Sequence, residues 1–419
     1  MDLHLKKLIA AFTVALVCAL GSDGVAQVAR TTGGPAETLT LEAAVEGALL
    51  ANADVLVARL RVDSARAERR IAGAYPNPTF TATPSNPSQY TVQLPLDIWP
   101  ARQYRARIGD RGESAARSDV DDTKRQVVFA VRQAFYDVLL ADSLRTLADD
   151  QADTFRRLLA ADSTLLRSGS IAERDVVTTR LQLAHAMATV SRALVQQHAT
   201  RLTLEALLGA PKPDTSLRIT GHLAYRPLDI NGDSVLALAL ARRPDLAAAT
   251  DRLAQSSAAQ ALARATLVPV PVAGAVYQPA APFASGQHVA PSLGLTLPVL
   301  NIFGGERARA AAGEVAAQVA LNRTRMQIRS DVALAFDGYA TARELADRYA
   351  CGLLADAAGA LEAAQYAYQR GASGLPDLLE AIRAYADTRS DYLTALHDYW
   401  VSVFALERAT GLDFVEVSR

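Results

Sequence analysis

Between Pro100 and Pro211 the chain contains no proline, and its apolar residues recur by threes and fours apart from a single break near Gly169. Proline inside a helix removes a hydrogen bond and clashes with the preceding turn, so a long run without it lets one helix continue. The pattern predicts a helix from about Ala101 to Ser168, a turn at Gly169, and a return helix from Asp175 to Leu208. At 1.5 Å per residue the outgoing helix is on the order of 100 Å long. No compact core needs such a rod. Aromatic residues make up only 6% of the chain, which suits long packed helices better than a sheet-rich enzyme core. A net charge of -1 gives no argument for a nucleic-acid partner.

The rod is made twice. Pro298 and Pro376 bracket a second proline-free helical stretch, and a last helix runs to about Thr410. Gly169, Asp175 and Gly209 find the same residue type 202 positions later, at Gly371, Asp377 and Gly411. At that offset Val176, Leu183, Val190, Leu194 and Leu204 align with Leu378, Tyr385, Tyr392, Leu396 and Leu406, spaced as in a coiled-coil seam. The chain therefore reads as a tandem duplication. Repeat one spans 39–210, with its hairpin tip at about 166–175; a connector covers 211–232; repeat two spans 233–412, with its tip at about 368–377; and 413–419 is a tail. Ahead of these lie a secretory signal pattern over 1–26 and a flexible leader over 27–38. Cys18 is a weaker candidate for lipid attachment, because Val17 before it is not small. Without Cys18 the chain keeps only Cys351, so no internal disulfide is expected.

Each repeat also carries a window free of Asp, Glu, Lys and Arg, from Ile71 to Leu96 and from Ala265 to Gly305. In the first, Phe80 and Ala82 alternate with threonines, and Tyr90, Val92 and Leu94 alternate with Thr91 and Gln93. Such alternation predicts strands with one apolar and one polar face, two at about 78–97 and two at about 268–299. Beyond the leader no run is long and apolar enough for a spanning helix, so any membrane crossing falls to these strands. The two of the first window are short against the roughly nine to eleven residues a bilayer asks of each. Four strands cannot close a barrel, and an open edge in lipid leaves backbone groups unpaired. Closure needs several chains; a dimer's eight strands leave an interior filled by side chains, whereas a trimer can conduct.

The start Leu39-Thr-Leu-Glu-Ala-Ala-Val, the Pro76-Asn-Pro break, the turns at Gly169 and Gly371, and the ending Ala405-Leu-Glu-Arg-Ala-Thr-Gly resemble the TolC-like outer-membrane factors. The stretch Tyr368 to Glu380, with the tail from Asp391 to Gly411, is similar to the CzcC-like heavy-metal branch. The resemblance implies a mainly α fold with a small β part: a homotrimer with a twelve-stranded barrel in outer-membrane lipid and an α-helical tunnel through the periplasm. It implies a passive efflux duct, joined through a periplasmic adaptor protein to an inner-membrane pump, with the RND type favoured. In that family, acids just after the second tip ring the tunnel entrance; here these are Asp377 and Glu380, one helical turn apart. Acids there also suit the positive end of a helix dipole. Gly169, Asp175, Gly371 and Ser373 fall on the tips where the family's adaptor docks, and helix capping is an equal reading for Asp175. Some members lock the entrance through a basic residue where this chain has Ser373; Arg370 is the alternative.

Nothing in the sequence reads as an enzyme, a cofactor site or a metal site: the histidines have no paired spacing, and there is no nucleophile elbow, His-Glu-x-x-His or phosphate loop. Two other readings share parts of the pattern. One is a type I protein-secretion channel. The other is a periplasmic coiled-coil adaptor, which has one hairpin where this chain has two.

Overall fold

The computed structural model describes residues 38–414, apart from 86, 98, 99, 211–216, 231, 280–287, 296, 299 and 300. The expected signal, leader and Cys18 lie outside the described residues. The two helices α1 (Leu41–Ala51) and α2 (Ala53–Gly73) lead into β1 (Thr79–Thr83) and β2 (Gln89–Pro95). Then come α3 (Pro100–Arg167) and α4 (Glu173–Leu207). The second half follows the same order: α5 (Gly232–Arg242), α6 (Pro244–Ala265), β3 (Pro271–Gln278), β4 (His288–Leu295), and α7 (Gly304–Arg348). A π-helical turn, Tyr349–Leu353, joins α7 to α8 (Leu354–Gln369), and α9 (Leu375–Thr410) ends the series.

Local chemistry explains the boundaries. Thr40 caps α1 by accepting the Ala43 N–H at 3.2 Å, and Asn52 separates α1 from α2 while accepting the Asp54 N–H at 2.9 Å. With α3 at 68 residues, the outgoing rod expected from the proline-free run is continuous. Its counterpart in the second half is not. The π-helical turn interrupts it, with Gly352 at φ 134.

Each half builds its own core in corresponding places. In the first, Ala44, Ala48 and Val55 pack on Val131, Phe135 and Val138 of α3 and Leu204 of α4. In the second, Val235 and Ala239 pack on Ile328, Val332 and Tyr339 of α7 and on α9. Leu204 and its counterpart Leu406 are both 0% exposed, so the repeat's register is also its packing register. Tyr136 touches both cores, edge-on to Phe404 with centroids 5.1 Å apart. The connector is tied down by side chains: the Tyr399 hydroxyl donates to Arg226 O at 2.8 Å and accepts the Leu228 N–H at 3.1 Å. Trp400 Nε1 donates to Ala224 O at 2.9 Å. Tyr399, which continues the seven-residue spacing of Tyr385 and Tyr392, is thus seam and fastening together.

The four strands form one antiparallel sheet in the order β1-β2-β3-β4. Pairings such as Phe80 with Val92, Val92 with Ala275, and Ala273 with Leu293 place apolar residues together on one face. Phe80, Tyr90 and Tyr277 stack in a row across that face, with centroids 6.3 and 6.2 Å apart. The other face carries Thr79, Thr81, Thr91, Gln93, Gln278 and Ser292, interrupted by Val272, Val276 and Ala290. β1 and β4 each have one edge without a strand partner among the described residues. Large apolar side chains stand bare on the first face, among them Phe80 at 67% and Leu293 at 78% exposure. No described helix is long and apolar enough to cross a membrane.

Candidate functional site

The site lies where the two hairpins end. Gly169 (φ 73) and Gly371 (φ 68) occupy the left-handed region, which glycine enters without the steric penalty other residues meet. Ser170 N–H donates to Leu165 O and Gly169 N–H to Leu166 O; in the second hairpin Ala372 N–H donates to Ala367 O and Gly371 N–H to Tyr368 O. Both tips therefore use the same glycine-closed helix end. A Cβ at either glycine would meet nothing within 4 Å, so conformation rather than space requires glycine there.

The tips differ in how the next helix begins. α9 starts with Pro376 in its first turn, and the Asp377 carboxylate accepts the Gly374 N–H at 3.2 Å. That is the returning half of a capping box, and it fixes the Asp377 side chain at the helix mouth. Asp377 and Glu380 are exposed, while Leu378 and Leu379 between them are buried. The acids thus face away from the apolar cluster of Leu375, Leu378, Leu379 and Ile382 with Ala152, Phe155 and Ala186 of the first hairpin. The N-cap of α4 is Ala172, whose side chain makes no capping bond. Asp175 lies in its first turn, 3.6 Å from Arg174, so it faces the helix dipole without capping a backbone N–H by its side chain.

Among the described residues Asp175 pairs with neither Arg370 through an ion pair nor Ser373 through a hydrogen bond. The Ser373 hydroxyl is buried and finds no hydrogen-bond partner. Arg370 lies over the Tyr366 ring at 5.2 Å. Instead, the hairpins are tied through Asp162, a residue that belongs to none of the sequence motifs. Asp162 is 0% exposed and accepts Thr179 Oγ1 at 2.6 Å and the Tyr368 hydroxyl at 2.9 Å. One carboxylate joins α3, α4 and α8. Burial pushes the Tyr368 phenol well above its ordinary value, and its hydrogen bond to Asp162 and the charges of Asp162 and Asp175 add to that, so it remains a donor. The sequence did hold a signal: Asp162 continues the series Ala152, Phe155, Leu158, which places an acid on the apolar seam.

An exposed-apolar sheet mounted on two long helical hairpins, whose tips meet at the far end and present acids, defines a membrane channel with a helical duct. The chain belongs to the outer membrane efflux protein family, which matches residues 44–210 and 235–412, and it is an outer-membrane channel of efflux systems. It is 23% identical over 397 residues to the cobalt-zinc-cadmium resistance protein CzcC of Cupriavidus metallidurans, covering 93% of this chain and 94% of that one. Its fold is similar to the CmeC outer-membrane channel of Campylobacter jejuni, with TM-score 0.77 and 15% identity over 90% of this chain and 88% of the other. It is likewise similar to the MtrE channel of Neisseria gonorrhoeae in its open state, with TM-score 0.73 and 20% identity over 88% of each chain.

Proposed function

We propose that three copies close their sheets into one twelve-stranded barrel in the outer membrane, continuous with a periplasmic tunnel of helices, and that this duct passively carries cargo out of the cell. The observation that supports it most is the four-stranded sheet, bare and apolar on one face, largely polar on the other, and without a strand partner at either edge among the described residues. An edge in lipid costs several kcal/mol for each unpaired backbone group, so the sheet needs other copies to complete it. The tips, with Gly169, Asp175, Gly371 and Ser373, then form the docking end for a periplasmic adaptor coupled to an inner-membrane pump of the RND type. The likeness to CzcC along nearly the whole chain supports divalent metal cations as cargo.

Asp377 and Glu380 gate the tunnel entrance in this reading. Three-fold symmetry sets them as two stacked acidic rings, which attract multivalent cations and hold the aperture narrow. Replacing both by alanine raises single-channel conductance in a planar bilayer and weakens block by multivalent cations. Unchanged conductance together with unchanged block removes both residues from the pore. Recovery of the protein as a soluble periplasmic species, in place of a heat-resistant oligomer in the outer-membrane fraction, sinks the duct itself. Secretion of a polypeptide with an ABC transporter, in place of metal tolerance, would reassign the cargo.

A further inference from the structure

The chain is nearly neutral, yet the helix ends that meet the sheet are strongly cationic. Residues 66–73, 100–107, 258–265 and 304–309 hold nine arginines against two glutamates. All of these arginines lie within about 11 Å of the sheet-side helix ends at 1.5 Å per residue. Some are held inside the chain: Arg69 meets Asp110 and Glu113, Arg105 pairs with Asp97, and Arg102 lies over the Tyr75 ring at 3.8 Å. Arg70, Arg107, Arg264, Arg307 and Arg309 have no carboxylate partner among the described residues, and all but Arg307 are exposed. Arg307 is half-buried, and its Nε is buried without a hydrogen-bond partner.

The charge is ordered against an apolar margin. On the sheet side stand exposed Ile71 (73%), Tyr75 (65%), Leu297 (58%) and Ile302 (59%). The strands and both hairpin turns beyond them carry no Asp, Glu, Lys or Arg. Cations therefore gather at one border of the apolar zone only, the border facing the helical duct. A second copy related by rotation brings the same segments to the same height, with the same excess of nine arginines over two glutamates.

We propose that this arginine collar binds the phosphates of anionic phospholipids in the leaflet of the outer membrane that faces the periplasm. The inference rests on the outer-membrane channel reading. Guanidinium groups match phosphate oxygens with two parallel N–H donors, and a collar beside an apolar girdle seats headgroup and acyl chain together.

The test is native mass spectrometry of the full-length trimer in neutral detergent, with phosphatidylglycerol or phosphatidylcholine of equal chain length. The wild type retains phosphatidylglycerol over phosphatidylcholine. The R70Q/R264Q/R309Q variant, changed only at exposed positions, retains about three-fold less phosphatidylglycerol, and R70K/R264K/R309K, which keeps the charge without the paired donors, restores only part of it. Equal retention of both lipids by the wild type overturns the proposal, as does undiminished retention by the glutamine variant. Dissociation of the glutamine trimer without loss of lipid assigns the collar to the subunit interface and also overturns it. So does displacement by inorganic phosphate at a concentration equal to the lipid's. Conductance of the same wild-type preparation in a planar bilayer stands apart: its absence tells against the channel reading whatever the lipid counts.

Discussion

His397 shows how one side chain can couple the two halves. Its Nε2 lies 2.7 Å from Asp137 of α3 and its Nδ1 2.9 Å from Asp398 on its own helix, and the ring is 12% exposed. Burial alone would lower its pKa, but the hydrogen bonds to Asp137 and Asp398, with their charges, leave it above the ordinary 6.5. The folded form then holds the proton more tightly than the unfolded chain. The stabilisation is complete below about pH 6.5 and is lost as pH rises through the folded value. His397→Gln is expected to cost on the order of 1 kcal/mol in acid and much less in alkali. Denaturant unfolding of the full chain at about pH 5 and about pH 9 checks this, and an equal cost at both pH values refutes it. At this scale the sequence was least legible. A scattered histidine gives no hint of an aspartate 260 residues away, because only tertiary packing brings α3 and α9 together. Asp162 differs, since its place on the seam was written in the spacing of its neighbours.

Among the elements, helices and strands followed from periodicity because long amphipathic runs leave the chain few alternatives. β1 and β2 showed plain alternation, and their pairing of Thr81 with Thr91 and Ala82 with Tyr90 keeps the polar and apolar sets on separate faces. The π-helical turn did not show itself. It needs one extra residue in a helix, and the run around Gly352 has ordinary helical composition. Gly352 at φ 134 is a conformation that an L side chain adopts only with strain, although a Cβ there would meet no neighbour. Gly352→Ala is therefore expected to lose about 1–3 kcal/mol. Gly359→Ala, in regular helix with the same open surroundings, is expected to gain about 0.4–1 kcal/mol. Unfolding of the two variants side by side tests the contrast, and equal shifts remove any special role for the turn.

For the whole molecule, the sheet faces decide how the assembly meets the bilayer. Ala275 shares the apolar face with Val92, whereas Thr91 lies on the polar face opposite Thr81. Arginine at Ala275 is expected to cost about 2–4 kcal/mol of insertion, and arginine at Thr91 little. The yield of heat-resistant oligomer in outer-membrane fractions reports the difference, and equal yields would mean the faces have been assigned the wrong way round. The need for several copies could be reasoned from four strands, but a single chain does not display the closure.

That largely polar, uncharged face has a further consequence for electrical behaviour. With the proposed acid rings of Asp377 and Glu380 at one end and no charged Asp, Glu, Lys or Arg in the strands, the duct proposed above would be a charge diode, with cations concentrated at one mouth. Its current would then rectify with the sign of the voltage.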